Sequence, residues 1–229
     1  MIDWHSHVLP QIDDGSRSIE ESIALLEMLS GQGVDTVIAT PHFYANDESL
    51  EHFLERRRES YQKLCAVLPE GLPRILLGAE VSYYSGISRL EGLCELCIEG
   101  TRLLLLEMPF AKWTDHTVRE VISIASRGDV TVILAHIERY IDMQNDGVFD
   151  TLLEYGVIMQ VNASFFNRGP SKRRALKLLA KGRIQVIGSD THNITSRPPT
   201  LDSAYRVIEK KFGKDFVYEI NEYGHFLLD

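Results

Sequence analysis

Short apolar runs alternate with longer amphipathic runs along the whole chain, and this alternation limits the possible folds. Seven of the runs have the length and composition of strands, and helical segments separate them. The strands read as almost continuous apolar runs, which is typical of a parallel sheet covered on both faces. The sequence therefore predicts a parallel α/β architecture. The predicted strands cover residues 2–7, 34–40, 74–81, 103–107, 130–136, 157–161 and 184–189.

Helix signals lie between these strands. Ser18 with Glu21 is a capping box, which predicts a helix from there to about residue 30. Further helices are predicted over residues 49–68, 114–127, 147–155, 172–181, 201–211 and 215–219. No linker or repeat interrupts the pattern, and 229 residues are enough for one domain with a full core. We therefore expect a single domain over residues 1–229.

Polar side chains lie at the carboxyl end of every predicted strand. They are His5, His7, His42, Glu80, Glu107, His136, Asn162, Asp190 and His192. In a closed barrel these ends converge on one mouth, where active sites of such folds lie. An open sheet would spread them across its width. Their distribution therefore favours a TIM-like (β/α)7 barrel over an open doubly wound sheet.

Charge and hydropathy limit the class of partner. The chain has 24 Lys and Arg against 33 Asp and Glu, so its net charge is −9. A negative surface disfavours general binding to nucleic acid, and with it a proofreading nuclease domain. No segment is long and apolar enough to cross a bilayer, and the first residues lack the regions of a signal peptide. We expect a cytoplasmic protein that does not insert into the membrane.

The cysteines give a weaker signal. Cys65, Cys94 and Cys97 form an odd set without a secretion signal, which predicts free thiols in a reducing compartment. Cys94 and Cys97 have C-x-x-C spacing, but a structural zinc site would need a second pair. We interpret these two as half-buried thiols on a helix.

The His5-Ser6-His7 segment is the first candidate metal-binding motif. Residues two apart on a strand point to the same face, so both imidazoles can bind one metal ion. The spacing alone is a weak signal, and chance is an equal alternative. The position of the pair before Asp13 and Asp14 favours metal binding, although Asp-Asp-Gly taken alone is typical of a turn.

Glu80 and Glu107 each lie at the end of an apolar strand. A carboxylate buried there needs a partner because burying a bare charge is very costly. A metal ion supplies one, and a salt bridge is an equal alternative for either residue alone. The combined set of imidazoles and carboxylates suits Mn²⁺, Fe²⁺ or Zn²⁺. We assign no role in the site to the remaining histidines, which are His52, His116 and His225.

The ordered motifs H-x-H, D-D-G, P-H, A-E, L-E, A-H-I-E-R-Y and D-x-H resemble the polymerase-and-histidinol-phosphatase (PHP) superfamily of metallohydrolases. Within it, the chain is most similar to the bacterial manganese-dependent tyrosine-protein phosphatases of capsule and exopolysaccharide operons. Residues 1–7, 12–15, 135–140 and 189–193, with Arg-Pro-Pro at 197–199, carry this closer resemblance. It covers essentially the whole chain and implies the PHP fold, a distorted seven-stranded β/α barrel with a trinuclear metal site.

The resemblance also implies roles for individual residues. The ligands that it implies for the first metal ion are His5, His7, Glu80 and Asp190. Those for the second are the bridging Glu80 with Glu107 and His136, and those for the third are Asp14, His42 and His192. Arg139 and Arg197 resemble the arginines that clamp the phosphate, and the candidate acid for the leaving group is His42, His192 or a water bound near the third ion. Pro41 replaces a serine that is frequent in the family, which should leave the ligand after it unaffected.

The activity implied is hydrolysis of a phosphomonoester, most of all phosphotyrosine on a protein, by a hydroxide that bridges two metal ions. Three Mn²⁺ ions are the expected cofactors, with Fe²⁺ or Zn²⁺ as alternatives. The implied partner is a membrane-associated tyrosine autokinase of capsule or exopolysaccharide synthesis. Each cysteine lacks an arginine six positions later, which argues against a phosphocysteine intermediate.

Two other functions stay open at this point. One keeps the chemistry and changes the substrate to histidinol phosphate or another small phosphoester, since substrate choice depends on the loops. The other is a PHP module that binds metal or a partner without catalysis. The presence of a competent donor at all nine ligand positions argues against this second possibility.

Overall fold

The computed structural model describes residues 1–167 and 169–229. Within these residues the strands are β1 (Ile2–Ser6), β2 (Thr36–Ala39), β3 (His42–Phe43), β4 (Arg74–Leu77), β5 (Glu80–Ser82), β6 (Leu103–Glu107), β7 (Thr131–Leu134), β8 (Ile158–Asn162) and β9 (Val186–Gly188). The helices are α1 (Ile19–Gly31), α2 (Leu50–Cys65), α3 (Asp115–Ala125), α4 (Asp146–Glu154), α5 (Gly169–Ala180), α6 (Leu201–Phe212) and α7 (Lys214–Leu228).

The strand predicted over 74–81 is broken into two short strands, and a short strand that was not predicted follows the one predicted over 34–40. β2 and β3 fill the second position of the sheet, and β4 and β5 fill the third. The continuous strand predicted over 74–81 is therefore wrong at Gly78 and Ala79. Hydrogen bonds still cross the break, from Gly78 N–H to Ala39 O at 2.8 Å and from Glu80 N–H to Pro41 O at 3.0 Å. Pro41 has no N–H to donate, so regular pairing is interrupted there.

The parallel sheet curls until its last strand lies beside its first. Neighbouring strands pair in parallel from β1 through to β9. At the closure, Asp190 N–H donates to His5 O at 2.7 Å and His7 N–H donates to Thr191 O at 2.9 Å. Gly188 permits this approach, because a Cβ there would lie 2.5 Å from the Cβ of His5. The predicted (β/α)7 barrel is confirmed, in a distorted form.

Apolar side chains pack on both faces of the sheet. In β6, Leu103 and Leu105 join a smaller cluster, and Leu104 and Leu106 join a larger one, because successive strand residues face opposite sides. The larger cluster lies beneath the helices. The smaller cluster draws on all seven strand positions, so it fills the barrel interior with Ile2, Trp4, Ile38, Leu76, Leu103, Leu105, Ile133, Ile158 and Val186.

The helices begin largely where the sequence predicts. Ser18 caps α1, and its Oγ accepts a hydrogen bond from Glu21 N–H at 3.2 Å. The helix predicted over 215–219 is too short, because α7 has 15 residues. Gly224 weakens its intrinsic helix propensity, but this glycine packs against Ile2 and Trp4, and tertiary contact overrides propensity. Within residues 1–167 and 169–229, no helix has the length and apolar character that crossing a membrane requires.

Candidate metal centre

The predicted site residues meet at the carboxyl-terminal mouth of the barrel. Strand pairing sets His42 beside Glu80, and Ser82 beside Glu107, so neighbouring strands end at the same level. All nine predicted ligands belong to one network of nitrogen–oxygen contacts of at most 4.0 Å: His5, His7, Asp14, His42, Glu80, Glu107, His136, Asp190 and His192. The structure therefore brings together every residue of the predicted set.

Glu80 is the centre of this network. Its Oε2 lies 3.1 Å from His5 Nε2, 3.2 Å from His7 Nε2 and 3.1 Å from His42 Nδ1. Its Oε1 lies 2.8 Å from His136 Nε2. Only 1% of Glu80 is exposed, and Oε2 accepts no hydrogen bond although three imidazole nitrogens surround it. The two oxygens thus face different imidazoles, as the predicted bridging role of Glu80 requires.

His5, His7 and Asp190 form the innermost donor group. The two Nε2 atoms lie 3.1 Å apart, and Asp190 Oδ1 lies 3.7 Å and 3.6 Å from them. All three side chains are buried. Ligand atoms this close, with none of the distances reaching 4.8 Å, can coordinate one ion.

Asp190 uses its two oxygens for different partners. Oδ2 accepts hydrogen bonds from Arg139 Nη2 at 2.7 Å and Asn162 Nδ2 at 2.7 Å, and it forms an ion pair with Arg197 Nη2 at 2.8 Å. Oδ1 faces the histidines instead. The arginines and the amide thereby fix the plane of the carboxylate, and one oxygen stays directed at the donor group.

The remaining donors lie on the two sides of Glu80. His136 Nε2 is 3.4 Å from Glu107 Oε1. On the other side, Asp14 Oδ1 is 3.4 Å from His42 Nε2 and 3.3 Å from His192 Nε2. The Asp14 side chain is 67% exposed, so this side of the centre opens to solvent.

The donor groups found in the structure overlap. His7 can join Asp14, His42 and His192, while His42 can join Glu80 and Glu107. His5 can likewise join Glu80 and His136. The assignment of each ligand to one of three ions therefore stays a prediction.

Asp13 supports the centre in a way that the sequence analysis did not identify. Its Oδ2 accepts a hydrogen bond from His7 Nδ1 at 2.7 Å and another from His42 N–H at 3.1 Å. A carboxylate behind an imidazole fixes the orientation of the ring and directs its other nitrogen toward a metal ion. The two adjacent aspartates thus have different roles: Asp14 is one of the candidate metal donors, and Asp13 orients a histidine behind them.

Gln160 and Tyr140 support two further imidazoles. Gln160 Oε1 accepts a hydrogen bond from His136 N–H at 2.6 Å and lies 3.4 Å from His5 Nδ1. Tyr140 Oη lies 3.3 Å from His136 Nδ1. The signal for Gln160 was present in the sequence, because it is a polar residue within the apolar run of β8. Such a residue needs a buried hydrogen-bond partner.

Asp3 ties the first strand to the last. Its carboxylate accepts hydrogen bonds from Ser189 N–H at 2.7 Å and from Ser189 Oγ at 2.6 Å. Burial raises the pKa of Asp3 to about 6, although the bonds from Ser189 act in the opposite direction. Ser189 precedes Asp190, so this contact helps to fix where the last strand delivers its ligand.

Two candidate ligands have a strained backbone. His136 has φ +32° and Asp190 has φ +52°, which are left-handed conformations that residues other than glycine rarely adopt. In β7 the interior residues alternate, so a residue that continued the strand regularly would face outward. The turn at His136 instead directs its side chain to Glu80. Strain of this kind concentrates at functional sites.

The electrostatics of the centre favour cations. Burial opposes protonation of His7, but the carboxylates of Asp13 and Glu80 beside it outweigh burial and raise its pKa to about 10. The pKa of His136 is raised to about 9 in the same way, against burial, by Glu107 and Glu80. Burial and then the carboxylates of Glu107 and Glu80 raise the pKa of the Tyr44 phenol to about 12. Carboxylates that stabilise a proton here would also stabilise a metal ion.

The cysteines and the remaining histidines do not belong to this donor network. Cys94 is exposed and lies in a short 3₁₀-helix over Leu93–Leu96, and Cys97 is buried just after it. The expectation of two half-buried thiols on a helix is therefore wrong, because a single 3₁₀ turn presents one thiol to solvent and one to the core. His52 and His116 are 60% and 63% exposed, as expected for residues outside the site.

The donor set fits divalent metal ions. Glu80 Oε2 and His42 Nδ1 are buried 3.1 Å apart, and neither forms a hydrogen bond. Buried polar atoms without hydrogen bonds are costly unless another partner, such as a metal ion, is present. Four groups of three or four imidazole and carboxylate donors occur among the described residues. Mixed nitrogen and oxygen donors without thiolate suit first-row divalent metals.

Comparison with known proteins identifies the family. The profile of the family described as "Capsular polysaccharide synthesis, CpsB/CapC" matches residues 1–223. The chain belongs to the CpsB/CapC family. It is 33% identical to the tyrosine-protein phosphatase CpsB of Streptococcus pneumoniae, over 93% of this chain and 91% of that protein. It is 30% identical to the tyrosine-protein phosphatase YwqE of Bacillus subtilis, over 100% of this chain and 91% of that protein.

The CpsB/CapC assignment agrees with the fold. The chain superposes with a TM-score of 0.84 and 26% identity on a structure from the work described as "Crystal structures of YwqE from Bacillus subtilis and CpsB from Streptococcus pneumoniae, unique metal-dependent tyrosine phosphatases". The match covers 100% of this chain and 94% of the other. The resemblance to the metal-dependent tyrosine phosphatases of the PHP superfamily is therefore confirmed for this CpsB/CapC protein.

Proposed function

We propose that this CpsB/CapC protein is a metal-dependent phosphatase that hydrolyses phosphotyrosine on proteins of capsule or exopolysaccharide synthesis. The observation that carries the proposal is the single network of nine imidazole and carboxylate donors at the barrel mouth, with two arginines beside it. Two family relatives that align over almost the whole chain are named tyrosine-protein phosphatases. Residues 1–229 would act as one domain.

We propose three divalent metal ions, with Mn²⁺ as the first choice and Fe²⁺ or Zn²⁺ as alternatives. The proposed ligand sets are His5, His7, Glu80 and Asp190; Glu80, Glu107 and His136; and Asp14, His42 and His192. When bound, the ions would supply Lewis-acid chemistry, which polarises phosphoryl oxygens and lowers the pKa of water. Asp13, Gln160 and Tyr140 would hold the imidazole ligands in position.

Arg139 and Arg197 would bind the phosphoryl group of the substrate. Their side chains are 38% and 40% exposed, and both form ion pairs with the same oxygen of Asp190. Each guanidinium carries further donors that can reach a phosphate beside the metal centre. Charge developing on the phosphoryl oxygens would then be neutralised from the arginine side. On the opposite side, the proton for the leaving tyrosinate would come from a histidine, His42 or His192, or from water held beside them.

The proposed partner is a phosphotyrosine protein, and specifically a membrane-associated tyrosine autokinase. Membership of the capsular polysaccharide synthesis family supports this proposal. We also propose that the protein acts in the cytoplasm. All three of its cysteines are free, which is usual in a reducing compartment.

The experiment that tests the proposed function measures phosphate release by chelator-stripped protein with Mn²⁺ added back. The substrates are a phosphotyrosine peptide and histidinol phosphate. We expect Mn²⁺-dependent release from the peptide and little from histidinol phosphate. A preference for histidinol phosphate would overturn the proposed choice of substrate. If metal-loaded protein releases phosphate from neither substrate, a non-catalytic module would be favoured.

Substitution of one arginine tests its proposed part. Arg139→Ala should lower kcat/KM for the peptide by about 100-fold, since a charge-assisted phosphate contact is lost. Arg206→Ala is a matched control, because Arg206 lies on α6 and is 68% exposed. Equal activity of the two variants would contradict the proposed role of Arg139.

A further inference from the structure

Tyr44 lies directly against the metal centre. It follows β3, and its ring stacks on the imidazole of His42, with centroids 5.3 Å apart and planes inclined by 27°. The residue is still 41% exposed, so part of its ring remains open to solvent. An aromatic surface is therefore available next to one of the proposed metal ligands.

The backbone around Tyr44 is held in place. Its carbonyl oxygen accepts hydrogen bonds from Asp47 N–H at 2.9 Å and Glu48 N–H at 3.2 Å. The preceding Phe43 is buried and packs on Phe53, with ring centroids 5.0 Å apart. Because the chain is fixed on both sides, the ring is preorganised for a contact rather than free to move away from it.

A second aromatic side chain, Phe110, projects from the mouth. It is 71% exposed and follows Glu107 at the end of β6. Its loop is ordered: Trp113 Nε1 donates to Pro109 O at 3.1 Å, and Gln144 Nε2 donates to Ala111 O at 2.8 Å. β3 and β6 flank β5, which sets their ends about 10 Å apart at the usual strand spacing.

The arginines and the aromatic residues lie on different sides of the donors. Arg139 and Arg197 contact Asp190, which follows the last strand, whereas Tyr44 contacts His42 on the second strand position. A phosphomonoester whose phosphoryl group lies over the donors between these sides would direct its alcohol portion toward Tyr44. Only an aromatic alcohol portion gains stacking energy there.

We propose that Tyr44, assisted by Phe110, forms the subsite for the aromatic ring of the substrate and makes the site selective for aryl over alkyl phosphomonoesters. The inference rests on the proposed phosphatase function and assigns its choice of substrate to particular side chains. Tyr44 is then a specificity-determining residue that contacts substrate. Phosphoserine, phosphothreonine and alkyl phosphates reach the same donors but leave the subsite empty.

The test measures binding of two non-hydrolysable ligands to Mn²⁺-loaded protein by calorimetry. Phenylphosphonate carries the ring, and methylphosphonate carries the same anionic group without it. We expect Tyr44→Leu to weaken the binding of phenylphosphonate by about 3- to 10-fold, which is the size of one aromatic stacking contact. The affinity for methylphosphonate should stay unchanged. Tyr44→Phe should retain wild-type affinity for both ligands. Phe110→Ser should weaken the binding of phenylphosphonate only.

Tyr155→Leu is the matched control, because Tyr155 is 51% exposed and follows α4 at the amino-terminal end of the strands. It should bind both ligands as the wild type does. Equal weakening of both ligands by Tyr44→Leu, with loss of bound Mn²⁺, would mean that Tyr44 only supports His42 and would overturn the proposal. Unchanged binding of phenylphosphonate would overturn it as well.

The two proposals can fail separately. If wild-type protein binds phenylphosphonate more tightly than methylphosphonate but releases no phosphate from a phosphotyrosine peptide, the aryl subsite is supported and the phosphatase function is refuted. If wild-type protein hydrolyses the peptide while Tyr44→Leu keeps the wild-type ratio of the dissociation constants for phenylphosphonate and methylphosphonate, the phosphatase function is supported and the aryl subsite is refuted.

Discussion

Replacement of Gly188 by alanine should open the seam between β9 and β1. The added Cβ would lie 2.5 Å from His5 Cβ and 2.8 Å from His5 N. These atoms belong to a buried strand and cannot rotate away. Ordinary contact begins near 3.4 Å, so the strands must separate by about 0.9 Å. The bond from Asp190 N–H to His5 O would then lengthen from 2.7 Å to about 3.6 Å, beyond hydrogen-bonding distance.

The cost of this shift can be estimated. Overpacking costs about 1–3 kcal/mol, and the seam bonds of Asp190 and Ser189 add about 1 kcal/mol each. A total of about 3–5 kcal/mol would lower Tm by about 6–20 °C in a chain of this length. Because Asp190 moves with the strand, Gly188→Ala should also bind at least one Mn²⁺ fewer, as measured by elemental analysis after dialysis.

A matched glycine separates this effect from a general effect of alanine. Gly147 lies in α4, and a Cβ there would meet nothing within 4 Å. Gly147→Ala should therefore leave Tm unchanged or raise it slightly. If Gly188→Ala melts within about 2 °C of the wild type and keeps its full complement of Mn²⁺, the reasoning about the seam is refuted.

Four further outcomes are expected. Glu80→Gln should lose bound Mn²⁺ and more than about 100-fold of the activity, and full metal content would contradict its bridging position. Asp13→Ala should weaken Mn²⁺ binding by about 10- to 100-fold, because His7 loses its orienting partner; titration of the stripped protein measures this. Saturating Mn²⁺ at about 100 times Kd should raise Tm of stripped protein by about 5–10 °C, whereas an unchanged Tm would exclude a folded-state site. Glu120 accepts a hydrogen bond from the Tyr83 hydroxyl at 2.5 Å, and despite some burial its pKa is lowered. Its stabilisation is therefore present above the unfolded value of 4.5 and is lost as pH falls through the lower pKa of the folded state, so Glu120→Gln should lower Tm at pH 7, and this difference should shrink as the pH is lowered below 4.5.

The sequence predicted the site better than it predicted the strands. Polar residues at the ends of apolar runs were enough to collect eight of the nine donors, because parallel strands in a barrel end at one mouth, and the family resemblance added Asp14. The break at Gly78 and Ala79 was not visible, since it depends on the register with the neighbouring strand rather than on the run itself. The length of α7 was missed for a similar reason, because packing against Trp4 compensates for a glycine inside the helix.

The spacing of residues in the sequence does not show which of Asp13 and Asp14 is the candidate metal ligand. Both carboxylates are adjacent in sequence, and either could reach an imidazole of the H-x-H pair. Their roles separate because Gly15 packs against His7, where a Cβ would lie 2.5 Å from that of His7. This close approach carries Asp13 behind the ring and leaves Asp14 at the solvent side. Only the path of the loop in three dimensions decides between them.

The seam between the first and last strands also sets the order in which the protein can mature during translation. His5 and His7 leave the ribosome well before their partners Asp190 and His192, which come much later in the chain. At about 5–20 residues per second, this interval of some 180 residues lasts roughly 10–40 seconds. The nascent chain therefore exposes an incomplete cluster of candidate metal ligands throughout that interval. The cluster is completed only when the last strand bonds to the first and closes the barrel.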